Sequence, residues 1–314
     1  HTTLAICRVA HPHAACCNRT TIYTILRLLY TIAMSYKPVL SIAQQLAPRN
    51  APLRVIKSSS LYVSQPNPSW FGNPPDKPDG AWSCEHWLTS RFHFSFAEYA
   101  GGPGNFGVLR VVNDDIVQPK RGFGTHPHRD MEIVTYVVDG SLWHKDSKGN
   151  AEELGRGAIQ FMSAGTGVSH SEANHGGKPL RFVQSWIVPR KRGLKPSYGS
   201  ASGFDRQDKW AYMVGDADAA GEKAQVQIHQ DLHMFATELG PTKFLDFFLR
   251  DGRQAYVLVL EGDVTVNKAQ LSARDACEVK GPLKLDFAAG AEGAHVLLYE
   301  MALSSDGRAD AVLP

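Results

Sequence analysis

From Trp82 onward the chain is a succession of short strand-like segments, among them Gly107 to Val112, Glu132 to Val138, Ala158 to Ser163 and Arg181 to Val188, punctuated by Gly, Asp and Asn. No long amphipathic helix separates them. Each strand buries a face only against another sheet, so this pattern predicts an all-β sandwich or barrel. A Gly- and Ser-rich stretch from Tyr198 to Gln207 interrupts the rhythm, which resumes in KFLDFFLRD, AYVLVLEGDVTVN and AHVLLYEMAL. There Leu260-Glu261-Gly262-Asp263 echoes Val138-Asp139-Gly140-Ser141, the mark of a duplicated unit. A chain of 314 residues is long enough for two such domains.

Two pairs of metal-binding side chains sit beside these strands. His126 and His128 lie in RGFGTHPHRDMEIVTYVVDG, and His170 and Glu172 in GAIQFMSAGTGVSHSEAN. Side chains alternate across a strand, so residues at i and i+2 face the same way, and two adjacent strands can aim three imidazoles and a carboxylate at one point. A His-x-His alone says little: with 13 His in the chain, composition gives roughly one such match in every two chains. His11-Pro12-His13 is such a match, in a segment without strand pattern or acid, and reads as incidental. The later copy is reinforced by H-x-H-x3-E, by H-x-E-x-N and by the glycine-punctuated strands between them.

The stretches WLTSRFHFSFAEY, GVLRVVNDDIVQPKRGFGTHPHRDMEIVTYVVDGSLWHKDSKGN, FMSAGTGVSHSEAN and FVQSWIVPRKRGLKPSY resemble the pirin family of the cupin superfamily, in particular its bacterial quercetin 2,3-dioxygenase-like branch. The resemblance implies a bicupin, two β-barrel domains packed together with one metal in the first. It places the ligands on His126, His128, His170 and Glu172. The expected layout is a disordered or targeting leader and linker over 1–75, a metal-binding cupin domain over 76–200 and a metal-free cupin-like domain over 201–314. The second half has His229, His233 and His295 but no H-x-H, which fits a structural barrel.

Glu132, the glutamate of H-x-H-x3-E, competes with Glu172 for the fourth position. Glu172 shares a strand face with His170, which leaves Glu132 a structural or supporting role. Around the ligands, Phe161 and Met162 read as core, His144 as stabilising a hairpin turn, Asn174 as positioning backbone, and Arg190-Lys191-Arg192 as a solvated loop.

A ligand set of nitrogen and oxygen without thiolate disfavours structural zinc and suits Fe(II), with Mn, Ni, Cu or Co able to substitute. What the resemblance implies is oxygenative opening of a flavonol such as quercetin with O2 and release of carbon monoxide, Glu172 serving as proton acceptor. A competing reading with the same four ligands is a non-catalytic, redox-sensing transcriptional cofactor with a protein partner.

The net charge of +2 gives no basic face for direct nucleic-acid binding. The first 75 residues hold no Asp or Glu and carry Arg8, Arg19, Arg27, Lys37, Arg49, Arg54 and Lys57, as organelle-targeting segments do. Met34 is a candidate initiator, which would make the preceding residues an artefact of translation. Ile22 to Ala33 is too short for a membrane span. A cytoplasmic or organellar protein is expected rather than a nuclear one. The five cysteines show no C-x-x-C and no disulfide framework, and Cys84 and Cys277 read as ordinary buried thiols.

Overall fold

The structure is a computed structural model that describes residues 53–77 and 82–303. It is built from strands in three sheets. A seven-stranded sheet runs, in spatial order, Ser197–Ala201, Ile159–Ser163, Glu132–Asp139, Leu180–Ile187, Leu109–Val117, Leu88–Phe92 and Tyr62–Ser64. A four-stranded sheet runs Gly122–His128, Val168–Ala173, Ser141–Asp146 and Ala151–Gly155. Leu88, Val117, Val137 and Phe182 of the larger sheet share a buried cluster with Leu142 and Leu154 of the smaller, which closes the first barrel.

The nine-stranded sheet makes the second barrel. Its main order is Leu53–Ile56, Ala276–Lys280, Arg253–Val266, Leu283–Ala302, Leu232–Leu239, Ala211–Asp216 and Val226–Ile228, while Phe244–Leu249 and Ala269–Ser272 pair with the two long strands. The architecture is the bicupin expected from sequence. The sequence echo also has a structural counterpart: Gly140 and Gly262 both take positive φ, +80° and +70°, and a Cβ there would lie 2.7 Å from Pro179 O or 2.1 Å from Gly293 O. Only glycine fits so close to a crossing backbone.

The two barrels share one core. Along Glu132–Asp139, Val134, Tyr136 and Val138 pack with Leu258, Leu297 and Tyr299 of the second barrel, whereas Ile133, Thr135 and Val137 point into the first. Each large apolar side chain so buried contributes about 1.5–3 kcal/mol relative to exposure. Polar contacts fix the register between barrels. Arg181 donates to both oxygens of buried Asp114 and to Leu260 O, Tyr136 Oη lies 2.7 Å from His295 Nε2, and Ser185 Oγ lies 2.8 Å from Tyr299 Oη.

Residues 53–75 depart from the expected leader and linker. Leu53–Ile56 is an antiparallel strand on Ala276–Lys280 of the second barrel, and Tyr62–Ser64 pairs with Leu88–Phe92 of the first, so this segment spans both. Arg54 pairs with Glu278 and Lys57 with Asp275, each at 2.7 Å, so these two basic residues are partners of second-barrel acids. The proline-rich run is docked too: Asn73 exchanges hydrogen bonds with the backbone of Gly122, and Arg121 donates to Pro74 O and Pro75 O. The remainder of the expected leader, including His11, His13, Met34 and the apolar run Ile22 to Ala33, lies outside the described residues. The Gly- and Ser-rich stretch from Tyr198 does not break the strand rhythm at once, since Ser197–Ala201 is a strand on Ile159–Ser163. Among the described residues no helix is long and apolar enough to cross a membrane.

Candidate metal centre

The centre forms where Gly122–His128 and Val168–Ala173 pair, His126 opposite His170 and His128 opposite Val168. Gly122 permits the close approach, since a Cβ there would sit 2.3 Å from Glu172 O. The strand geometry brings His126, His128 and His170 together, with their ligand atoms all within 4.8 Å of one another. His126 Nε2 and His170 Nε2 are 3.1 Å apart. Two nitrogens each bound about 2.0–2.1 Å from one ion lie about 2.9–3.4 Å apart, depending on coordination geometry, so this spacing fits a shared metal.

The three rings are short of other partners. Both nitrogens of His128 and Nδ1 of His170 are buried without a hydrogen bond, while His126 Nδ1 faces Gly124 O at 2.8 Å, which leaves Nε2 for the centre. An unsatisfied buried nitrogen costs about 1–3 kcal/mol, a penalty that a bound cation removes. Burial, the largest influence on all three, pushes their pKa values below the ordinary imidazole value, and His128 and His170 lie well below it. Neutral imidazole is the form that binds metal.

Glu172 keeps the strand face it shares with His170, as the i,i+2 spacing predicts, and the irregularity lies in the facing strand, where two residues stand against Ser171. The register shifts between His170 and Glu172, so Glu172 stands opposite Phe123 and falls in a second group with His170 and His144, again with ligand atoms within 4.8 Å. Its carboxylate is gripped from the seven-stranded sheet. Gln160 Nε2 donates to Oε1 at 3.1 Å, Gln184 Nε2 to Oε2 at 2.8 Å, and Thr135 Oγ1 to Oε1 at 3.4 Å. Trp186 Nε1 donates to Gln184 Oε1 at 3.0 Å, which fixes the orientation of that amide. Nearby, burial and the charges of Asp114 and Glu172 outweigh the Ser90 hydroxyl and push Asp115 up to about 8, so it holds a proton at neutral pH.

Sequence reading missed the inward row of Thr135, Gln160 and Gln184. Its signal was present as polar residues at alternate positions of otherwise apolar strands. His144 also differs from the expected turn residue: it lies within Ser141–Asp146, directly opposite Glu172, fully buried, with its ring stacked 4.5 Å from that of Tyr198. Asn174 does position backbone, donating to Val117 O and Lys178 O and accepting from Gly176 N. Glu132 accepts from Ser163 Oγ at 2.8 Å and lies in neither ligand group. Phe161 and Met162 belong to core clusters. Arg190, Lys191 and Arg192 lie in an exposed loop as expected, and Arg190 in addition pairs with Asp216 and Asp218 of the second barrel.

The centre is sealed on the sheet side and open at its edge. Gly122–His128 is an edge strand whose Gly124, Thr125 and Pro127 are exposed, whereas His170 and Glu172 are buried. Half-buried aromatic rings flank it, Trp186 at 4.9 Å from His128 and Phe123 at 6.5 Å from His126, measured between centroids.

The family described as Pirin matches residues 77–187, and that described as the quercetinase C-terminal cupin domain matches 217–301. The quercetin 2,3-dioxygenase of Escherichia coli K12 is 35% identical over 218 residues, 68% of this chain and 92% of that protein. A pirin-like protein of Caulobacter vibrioides is 37% identical over 232 residues, 73% of this chain and 98% of that one. The crystal structure of YhhW from Escherichia coli superposes with a TM-score of 0.68 at 31% identity, covering 80% of this chain and 98% of that one. The same bacterial pirin in complex with nickel(II) gives 0.67 at 30% identity, over 80% and 100%. The chain belongs to the pirin family, and its two β-barrels are the paired cupin domains of that family.

Proposed function

We propose that the protein is a metal-dependent dioxygenase of the quercetin 2,3-dioxygenase type, which cleaves a flavonol or related phenolic with O2 and releases carbon monoxide. The observation that carries this reading is the convergence of three neutral, underpartnered imidazoles at an edge of the first barrel, beside a clamped carboxylate. Relatives named quercetin 2,3-dioxygenase support the substrate class. His126, His128, His170 and Glu172 hold the ion. Fe(II) is the ion proposed; Ni, Mn, Cu and Co suit the same donors, and a nickel-bound relative supports that breadth.

When bound, a divalent ion supplies Lewis acidity that lowers the pKa of a substrate hydroxyl and, if redox-active, electron exchange with O2. The protein's own residues do the rest. Trp186 and Phe123 offer apolar rings against which a flat phenolic packs, and the exposed edge strand admits it. Glu172 accepts the proton of the flavonol 3-hydroxyl, while Gln160, Gln184 and Thr135 hold its carboxylate in place before and after the transfer. Burial of Glu172 and His170 keeps bulk water from the reacting oxygen.

The test is anaerobic mixing of quercetin with metal-loaded and metal-free protein. A red-shifted flavonolate band that forms only with metal supports the reading. An identical quercetin spectrum in both would contradict it.

A further inference from the structure

We propose that His144 is a metal ligand, and that with His170 and Glu172 it forms an inner seat for a divalent first-row ion that shares His170 and the Glu172 carboxylate with the outer seat proposed above. This inference rests on the metal-centre reading above and extends it to a residue outside the expected ligand set.

Geometry makes the argument. His170 and Glu172 lie on Val168–Ala173, whose other neighbour is Ser141–Asp146, paired with Glu172 opposite His144 and His170 opposite Asp146. Opposed residues on one face of an antiparallel pair approach closely. The three side chains therefore meet, with ligand atoms within 4.8 Å, in residues 0%, 1% and 2% exposed. Two imidazoles and one carboxylate with open positions are the donor set used by non-haem Fe(II) oxygenases.

The hydrogen-bonding capacity of His144 is unused. Both ring nitrogens are buried without a hydrogen bond among the described residues. The ring is held flat against Tyr198, 15° from parallel, and the Tyr198 hydroxyl is tied to Glu152, which Ser200 Oγ also engages. Behind the ring, Asp146 Oδ2 stands 3.7 Å from Nε2. That carboxylate is fixed by the backbone N–H groups of Lys148 and Asn150 and by Asn150 Nδ2. A carboxylate behind a histidine is the arrangement that orients a metal-bound imidazole. At 3.7 Å the contact is electrostatic and longer than a hydrogen bond.

The experiment titrates Ni(II) alone into the metal-free full chain by calorimetry, with near-ultraviolet circular dichroism to verify folding. His126→Ala/His128→Ala removes the outer seat, and the inner seat should still hold one equivalent of ion. Adding His144→Ala should then weaken binding by about 100-fold. A folded double variant that binds no nickel, or residual affinity indifferent to His144→Ala, overturns the inner seat. Should the double variant not fold, pulsed EPR of Cu(II) in the otherwise intact chain decides: His144→Gln is expected to remove one imidazole coupling, and an unchanged pattern overturns the proposal. The two readings fail differently. Loss of the inner seat leaves wild-type nickel binding intact, whereas failure of the whole centre appears as a wild-type chain that binds no ion.

Discussion

His126 Nε2 and His170 Nε2 face each other at 3.1 Å from adjacent antiparallel strands. Two neutral rings satisfy each other at that distance only if one donates, which leaves the rest of the cluster unpaired. A shared cation takes one nitrogen from each of the three rings. His170→Ala, which removes the ring common to both groups, is therefore expected to lower metal content to well under one equivalent after desalting, whereas His126→Ala loses only the ion of the three-imidazole seat. Full stoichiometry in both variants would refute the ligand assignment.

Gln184 links Trp186 to Glu172 through two hydrogen bonds of fixed direction. Gln184→Leu removes both and leaves the carboxylate with Gln160 and Thr135. A 10–100-fold loss of metal affinity is expected on the scale of outer-shell substitutions, about 10–100-fold. Calorimetric titration with an unchanged dissociation constant would show that the amide does not position the carboxylate.

Gly122 is required by packing and not by a turn. In Gly122→Ala the added Cβ, 2.3 Å from Glu172 O, pushes the ligand strands apart. The expected cost is about 1–3 kcal/mol of stability, with weaker metal binding in the same variant. Urea unfolding and metal titration of that variant check both parts.

His93 supplies a pH signature for the contact between barrels. Its Nδ1 lies 2.8 Å from Tyr256 Oη of the second barrel, and burial, opposed by the charge of Asp114, pushes its pKa down to about 4. This is a base whose folded pKa is depressed below its unfolded value of 6.5. Between those pH values the unfolded chain binds a proton that the folded one does not, so stability falls as pH drops from 6.5 towards 4, by about 3 kcal/mol for this group. His93→Gln should flatten that part of the curve of unfolding free energy against pH. An unchanged slope would assign the acid sensitivity to other groups.

The strand Leu53–Ile56 completes the second barrel's sheet. A chain that begins after Ile56 leaves Ala276–Lys280 as an open edge and loses the Arg54–Glu278 pair, so its urea midpoint should fall. A midpoint equal to that of the full chain would show that the strand contributes nothing.

The all-β class, the duplication and the convergence of His126, His128 and His170 were legible because period-2 patterning and i,i+2 spacing are local properties. What escaped was set by pairing between distant strands. His144 reads as a turn residue from its neighbours alone, because its place opposite Glu172 is set by strand register, and the extra residue of Gly122–His128 that brings Phe123 opposite Glu172 is encoded by no local pattern. Leu53–Ile56 was hidden by its acid-free surroundings: its charge partners, Glu278 and Asp275, lie more than 200 residues away. The ion pairs of the exposed Arg190 were hidden for the same reason, with Asp216 and Asp218 supplied by the other barrel.

The central claim is tested most directly by measuring oxygen uptake and carbon monoxide release by the Fe(II)-loaded protein with quercetin, beside Glu172→Gln. The account predicts one O2 consumed and one carbon monoxide released per flavonol, with turnover abolished in the variant. A fully loaded wild-type protein that consumes no oxygen with quercetin or related flavonols would contradict it.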